Sequence, residues 1–163
     1  MVMSTTRTLS SACIFLGVLL LNACGGSDKE PTVQETQLKG LVKTWKLGAI
    51  TLDGVNKKTA SEYNDFRLTI AGTYSSSAPD GTYSYSVAGR PALSSWPGSG
   101  SWKFGTGDPK TQLVRDPGGS GEVAMTYNLI TSPAQLQITY TYSGDAIQGR
   151  TGVVKGQWVM TFN

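Results

Sequence analysis

From Thr44 onward, apolar and polar positions alternate in short runs, and each run ends at Gly, Asp, Pro or Ser. A period of two sets one face of a run against a core and the other in water, so the pattern predicts antiparallel strands joined by turns. The main runs are 45–49, 66–70, 83–87, 102–104, 113–115, 123–129, 136–142 and 154–162, with 73–75 as a short continuation of the second. Helix is confined to 32–42 and to a turn within 59–64. In the first of these, Val33, Leu38, Leu41 and Val42 supply apolar contacts for a barrel end, and Gly40 is expected to limit its length. Eight strands met in sequence, mostly joined by short turns, predict an all-β up-and-down meander closed into an eight-stranded barrel. Closure removes the exposed edges that invite aggregation. A two-sheet β-sandwich fits the same alternation and stays open as the alternative.

The first residues follow another rule. Arg7, with no acid near it, precedes an apolar stretch ending at Leu21 that falls short of the ~20 residues a membrane span needs. These are the parts of a secretory signal peptide, assigned to 1–23. Leu21-Asn22-Ala23-Cys24 resembles the lipobox of bacterial lipoproteins. That resemblance implies that Cys24 receives a diacylglycerol, that the leader is removed, and that the new amino terminus is acylated, with palmitate the expected label. Several acyl chains together hold a protein on a membrane where one does not. Gly25-Gly26-Ser27-Asp28-Lys29-Glu30-Pro31 buries no apolar area and reads as a leash, which sets the organisation as leader 1–23, lipidated tether 24–37 and β-domain 38–163. Ser27-Asp28-Lys29-Glu30 is similar to the acidic export signal of surface lipoproteins of the Bacteroidota. The implied location is the outer membrane, facing either the cell surface or the periplasm.

Composition then narrows the chemistry. The chain carries 14 Lys and Arg against 11 Asp and Glu, a net +3, with the cations scattered, which is not the clustered footprint of a nucleic-acid binder. It contains no His and only two Cys. On what the lipobox resemblance implies, Cys13 leaves with the leader and Cys24 is acylated. Thiol nucleophiles, Ser-His-Asp triads, disulfides and the usual zinc sites are thereby excluded. The carboxylates Asp53, Glu62, Asp65, Asp80, Asp108, Asp116, Glu122 and Asp145 fall in turns and strand edges, where such residues form solvated turns. No metal site, no cofactor and no enzyme activity are expected. Hydrolysis by a carboxylate pair is the remaining catalytic alternative.

Several segments resemble the lipocalin-like lipoproteins of the Bacteroidota. These are Leu41-Val42-Lys43-Thr44-Trp45-Lys46-Leu47, Gly72-Thr73-Tyr74, the stretch from Trp96-Pro97 through Ser101-Trp102-Lys103-Phe104, Leu136-Gln137-Ile138 and the run 154–162. The resemblance implies the eight-stranded barrel. Lys43 stands where true lipocalins carry Gly, at the closely packed base of the barrel.

The alternation turns bulky residues inward, and an eight-stranded barrel is just wide enough to be filled by them or to hold one small ligand. The candidate ligand-binding residues are Tyr83, Tyr85, Trp96, Trp102, Tyr127, Tyr140 and Tyr142. The connection 88–100 is long for a compact β-domain. It either presents Arg90, Leu93 and Trp96 to a partner, or folds back with Trp96 over the barrel mouth. Arg115 and Arg150 could counter an acid or hold an anionic ligand, but read first as solvated surface charges. The expectation is a membrane-anchored, non-catalytic binding module for an apolar small molecule, a glycan or a protein. A structural or assembly subunit of an outer-membrane complex, without a small ligand, is the alternative.

Overall fold

A computed structural model describes residues 29–58, 61–92, 94–143 and 155–163. The leader, Cys24, residues 25–28 of the leash, Thr59, Ala60, Leu93, Asp145, Arg150 and Val154 lie outside the described residues. Pro31 to Asn163 form one compact unit, which begins ahead of the expected boundary at 38 because the helix belongs to it.

That helix, α1, spans Val33–Leu41. Thr32 caps it by accepting from the Glu35 amide at 3.2 Å, and Glu35 pairs one turn on with Lys39 at 2.8 Å. Gly40 does not end the helix. A β-carbon there would lie 2.6 Å from Leu129, so glycine lets the helix settle directly on the sheet. Leu38 and Leu41 are buried, and the Trp45 indole donates to the Leu41 carbonyl at 2.8 Å, satisfying one of the acceptors that a helix end leaves open.

Nine strands follow among the described residues: β1 (Thr44–Leu52), β2 (Val55–Asn56), β3 (Arg67–Ala71), β4 (Tyr83–Ala88), β5 (Ser99–Phe104), β6 (Gln112–Arg115), β7 (Val123–Thr131), β8 (Ala134–Tyr142) and β9 (Gly156–Phe162). Every pairing is antiparallel between sequence neighbours, except that β1 passes over the two-residue spur β2 to reach β3 and that β9 returns to β1. The result is a closed eight-stranded up-and-down barrel with β2 as an extra strand, a lipocalin-like architecture and not a sandwich. A 3-10 turn at Ser61–Tyr63 is the second helical element. Residues 73–75 do not extend β3, which stops at Ala71.

β1 runs past the expected 45–49 because a bulge at Gly48 resets its alternation. Trp45 and Leu47 point inward before it, Ile50 and Leu52 after it. The Lys58 ammonium takes up the loosened carbonyls, donating to Leu47 at 3.0 Å and Gly48 at 2.7 Å. At the far end of β1, Asp53 and Gly54 both hold positive φ, as a two-residue hairpin turn requires.

The barrel has two ends. Near the start of β1 it is closed by α1 and by Lys43, whose ammonium sits 3.9 Å from the Trp45 ring centroid. The Gly-to-Lys difference therefore leaves the base shut and adds a cation–π contact. The other end carries the β4–β5 connection. Inward rows are apolar and aromatic, while the outward rows of β4, β7 and β8 are exposed or half-buried and rich in Ser, Thr and Gln. This is the reverse of a membrane-spanning barrel, which turns its apolar band outward.

Candidate functional site

The distinctive chemistry lies where the β4–β5 connection meets the barrel. Gly89 opens it at φ 61, and a β-carbon there would sit 2.1 Å from the Asp65 carbonyl, so only glycine lets the chain turn at this point. Arg90 then donates to the Trp96 carbonyl at 3.0 Å, and its guanidinium lies against Gly98. The Ser94 hydroxyl accepts from the Trp96 amide at 3.2 Å. These contacts turn the loop inward. Of the two roles expected for the loop, the structure shows the lid: Trp96 is only 4% exposed, and Ser94 and Ser95 are buried with it.

The indole of Trp96 fills the mouth. It meets Tyr85 edge-on at 5.2 Å and Tyr140 edge-on at 6.2 Å, and its N–H donates to the Met160 sulfur at 3.1 Å. Beside it lies Arg115, 1% exposed. This corrects the expectation of a solvated charge. The alternation in β6 sets Arg115 on the same inward face as Leu113, a signal that was present in the sequence and is masked by the residue's charge. Its guanidinium carbon lies 5.1 Å from the Trp96 ring and 5.8 Å from the Tyr140 ring, and Nη1 donates to the Ser95 carbonyl at 3.0 Å.

Asp116 is the counter-ion. Its Oδ2 lies 3.3 Å from Arg115 Nε, too poorly aligned for a hydrogen bond, so Nε is left without a hydrogen-bond partner. The same carboxylate accepts from the Tyr85 hydroxyl at 2.8 Å and from the Ser101 amide at 3.0 Å. Gly100 makes room for it, since a β-carbon there would meet Asp116 Oδ1 at 2.1 Å. The Ser95 hydroxyl and Tyr140 hydroxyl share a hydrogen bond at 2.5 Å. Sequence reasoning missed the buried Ser94 and Ser95 and the half-buried Asp116, because turn and loop residues carry no periodicity to report their direction.

All seven candidate ligand residues lie in the interior. The structure brings Tyr85, Trp96 and Tyr140 together around Arg115. Tyr83 and Trp102 form a separate ring pair, with centroids 4.9 Å apart, toward the opposite end of β4. Tyr127 reaches α1, where its hydroxyl donates to Gln37 at 3.0 Å and contacts the Pro109 carbonyl. Tyr142 is buried near the end of β8. The cavity bounded by Tyr85, Trp96, Trp102, Arg115 and their aliphatic neighbours measures about 20 Å³, room for about one water molecule.

Burial raises the pKa of Tyr85 above the ordinary phenol value, and the hydrogen bond to Asp116 adds to this. Burial raises Tyr140 as well, against the opposing pull of Ser95 and Arg115, and raises Tyr127 with help from Asp108. These phenols are neutral hydrogen-bonding groups at neutral pH. The arrangement joins a plug to a wall through a partly solvated ion pair. No group of three metal-ligating side chains occurs among the described residues.

No family model, curated protein or solved structure matches the chain.

Proposed function

We propose that the protein is a lipid-anchored, non-catalytic module of the bacterial outer envelope that works through the outside of its barrel, where it binds a glycan or a protein. The observation that carries this reading is the interior packed among the described residues. A plug held by Arg90, Arg115 and Met160 leaves about 20 Å³ beneath it, whereas small-molecule pockets run to ~300 Å³ or more. An apolar guest inside the barrel would have to displace Trp96. The same filled interior favours a second reading, a structural or assembly subunit whose exterior meets other envelope proteins.

The lipobox supports the anchor. Radioactive palmitate is expected to label the wild-type chain and to be lost in Cys24→Ser, and label that persists in the variant refutes the anchor. Protease shaving of intact cells assigns the membrane face, since a domain digested only after lysis faces inward. Native mass spectrometry of protein taken from its own envelope tests the interior. A co-purified lipid held inside the barrel would overturn the exterior reading.

A further inference from the structure

The end of the barrel that α1 closes has a surface of its own. Among the described residues four large apolar side chains are exposed, Val33, Val42, Val55 and Ile130. Val55 belongs to β2, beside the far end of β1 and toward the mouth. The other three gather at the base. Val33 opens α1, and Gln37, one turn later, receives the Tyr127 hydroxyl. Val42 follows the last turn of α1, and the carbonyl of the next residue, Lys43, accepts from the Ile70 amide at 3.0 Å near the end of β3. Ile130 points outward just before the β7–β8 turn, next to the Leu129 on which the helix rests.

The hairpin that carries Ile130 is uncharged. From Val123 to Tyr142 the chain contains no Asp, Glu, Lys or Arg. Its turn, 131–134, is exposed along its whole length. Surfaces that face water are about a quarter to a third charged, so a protruding tip of Ile, Thr, Ser, Pro and Ala is out of keeping with water on every side. Charge plays the smaller part. Lys39 and Lys43 are exposed at the same end, and long Lys stems let apolar neighbours sink while the ammonium stays in a polar layer. Glu35 is held by Lys39 at 2.8 Å, and Asp108 is spent on the Lys110 amide and the Thr111 hydroxyl of its own loop.

We infer that this end of the barrel rests in the headgroup layer of the phospholipid bilayer that holds the anchor, with Val33, Val42 and Ile130 as its apolar contacts. The inference rests on the anchored reading and adds the orientation. The length of the leash selects the end. From Cys24 to Pro31 it spans at most ~25 Å when fully extended, less than the ~30 Å of the nine-residue β1. It enters the domain at α1, so it is too short to run the length of the wall and let the mouth reach the bilayer. Apolar side chains that enter the headgroup boundary add their buried area to the hold of the acyl chains. The mouth, with its Trp96 plug, then faces away from the membrane and stays open to a partner.

The test is a spin-label depth measurement on the lipidated chain in vesicles of phosphatidylethanolamine and phosphatidylglycerol. With Cys13 gone with the leader and Cys24 acylated, Val33→Cys, Ile130→Cys and Val55→Cys each take one nitroxide. All three positions are exposed, so the urea midpoint should report an intact fold. A water-soluble nickel chelate reaches labels in water and is kept from labels among lipids. The labels at 33 and 130 should lose most of their chelate accessibility relative to the label at 55. Equal access at the three positions overturns the inference, and so does a loss at 55 alone. Spin–spin broadening between labels would assign the face to a second copy and overturns it as well. Flotation of the vesicles is read separately. A chain that fails to float refutes the anchor and this seating with it, whereas one that floats with equal access at the three positions refutes the seating alone.

Discussion

Trp96→Ala is the most informative perturbation of the barrel. The indole is 4% exposed and touches Tyr85, Tyr140, Arg115 and Met160, so its removal deletes a plug and not a surface contact. Truncation of a buried Trp costs ~3–5 kcal/mol, as lost transfer energy plus the cavity left behind. Arg115 also loses one of the two π faces beside it, which places the loss toward the upper half of that range. With a urea slope of about 2 kcal/mol per M, the unfolding midpoint should fall by roughly 2 M. A domain of ordinary stability survives this, so the variant should fold with an enlarged void joined to the existing cavity of about 20 Å³. Added indole should refill that void and restore part of the midpoint in proportion to its concentration, as a ligand specific to the folded state must. The assay is urea unfolding followed by far-UV circular dichroism, with and without indole. A loss below about 1 kcal/mol, with no response to indole, would show that the β4–β5 connection lies outside the barrel in solution.

The Arg115–Asp116 pair should be asymmetric. Asp116→Asn strands a buried charge and is expected to cost about 2–4 kcal/mol, while Arg115→Met removes that charge and costs less; adding Arg115→Met to Asp116→Asn should recover part of the loss in urea unfolding, and strictly additive costs would refute the coupling. Gly89→Ala combines a β-carbon 2.1 Å from the Asp65 carbonyl with a left-handed φ, so a midpoint loss equivalent to about 2 kcal/mol or more is expected, and a neutral outcome would refute the turn geometry. Tyr85, Tyr127 and Tyr140 have folded pKa values raised above the unfolded ~10. Their contribution is fully present below pH 10 and is lost as pH climbs beyond it, because the unfolded chain ionises first. The urea midpoint should show no loss from these groups up to about pH 9 and should fall above pH 10, with tyrosinate absorbance rising in step with unfolding. Free ionisation of all seven tyrosines in the folded protein near pH 10 would contradict the burial.

Strand placement was legible because alternation is a direct record of which side chains meet the core; closure was not, since a two-sheet sandwich fits the same alternation. The helix was legible for the same reason, and it ends at Leu41, one residue after Gly40, a glycine that also lets the helix lie on Leu129. Arg115 shows the limit of reading polarity as exposure. The period in β6 places it inward and its charge argues outward; the period prevails because Asp116, the Ser95 carbonyl and two aromatic rings receive it. Those partners come from other elements and become neighbours only after folding. The direction of the 88–100 connection was unreadable for a related reason. It is decided by the Gly89 turn, the Arg90 clasp and the Met160 acceptor, none of which leaves a periodic trace.

The seam between β1 and β9 sets a schedule for making the protein. Leu47 to Leu52 find their partners in Trp158 to Phe162, and Lys46 exchanges backbone bonds with Asn163 in both directions. Strands made early thus wait for residues made about a hundred positions later, the kind of distant pairing that slows folding. A chain threaded across a membrane from its amino end would arrive as an open, curling sheet, with β1 presenting a bare edge until the final stretch came through. That interval, and not the finished barrel, is when the polypeptide is exposed to aggregation and proteolysis, and when a holding factor would have something to grip.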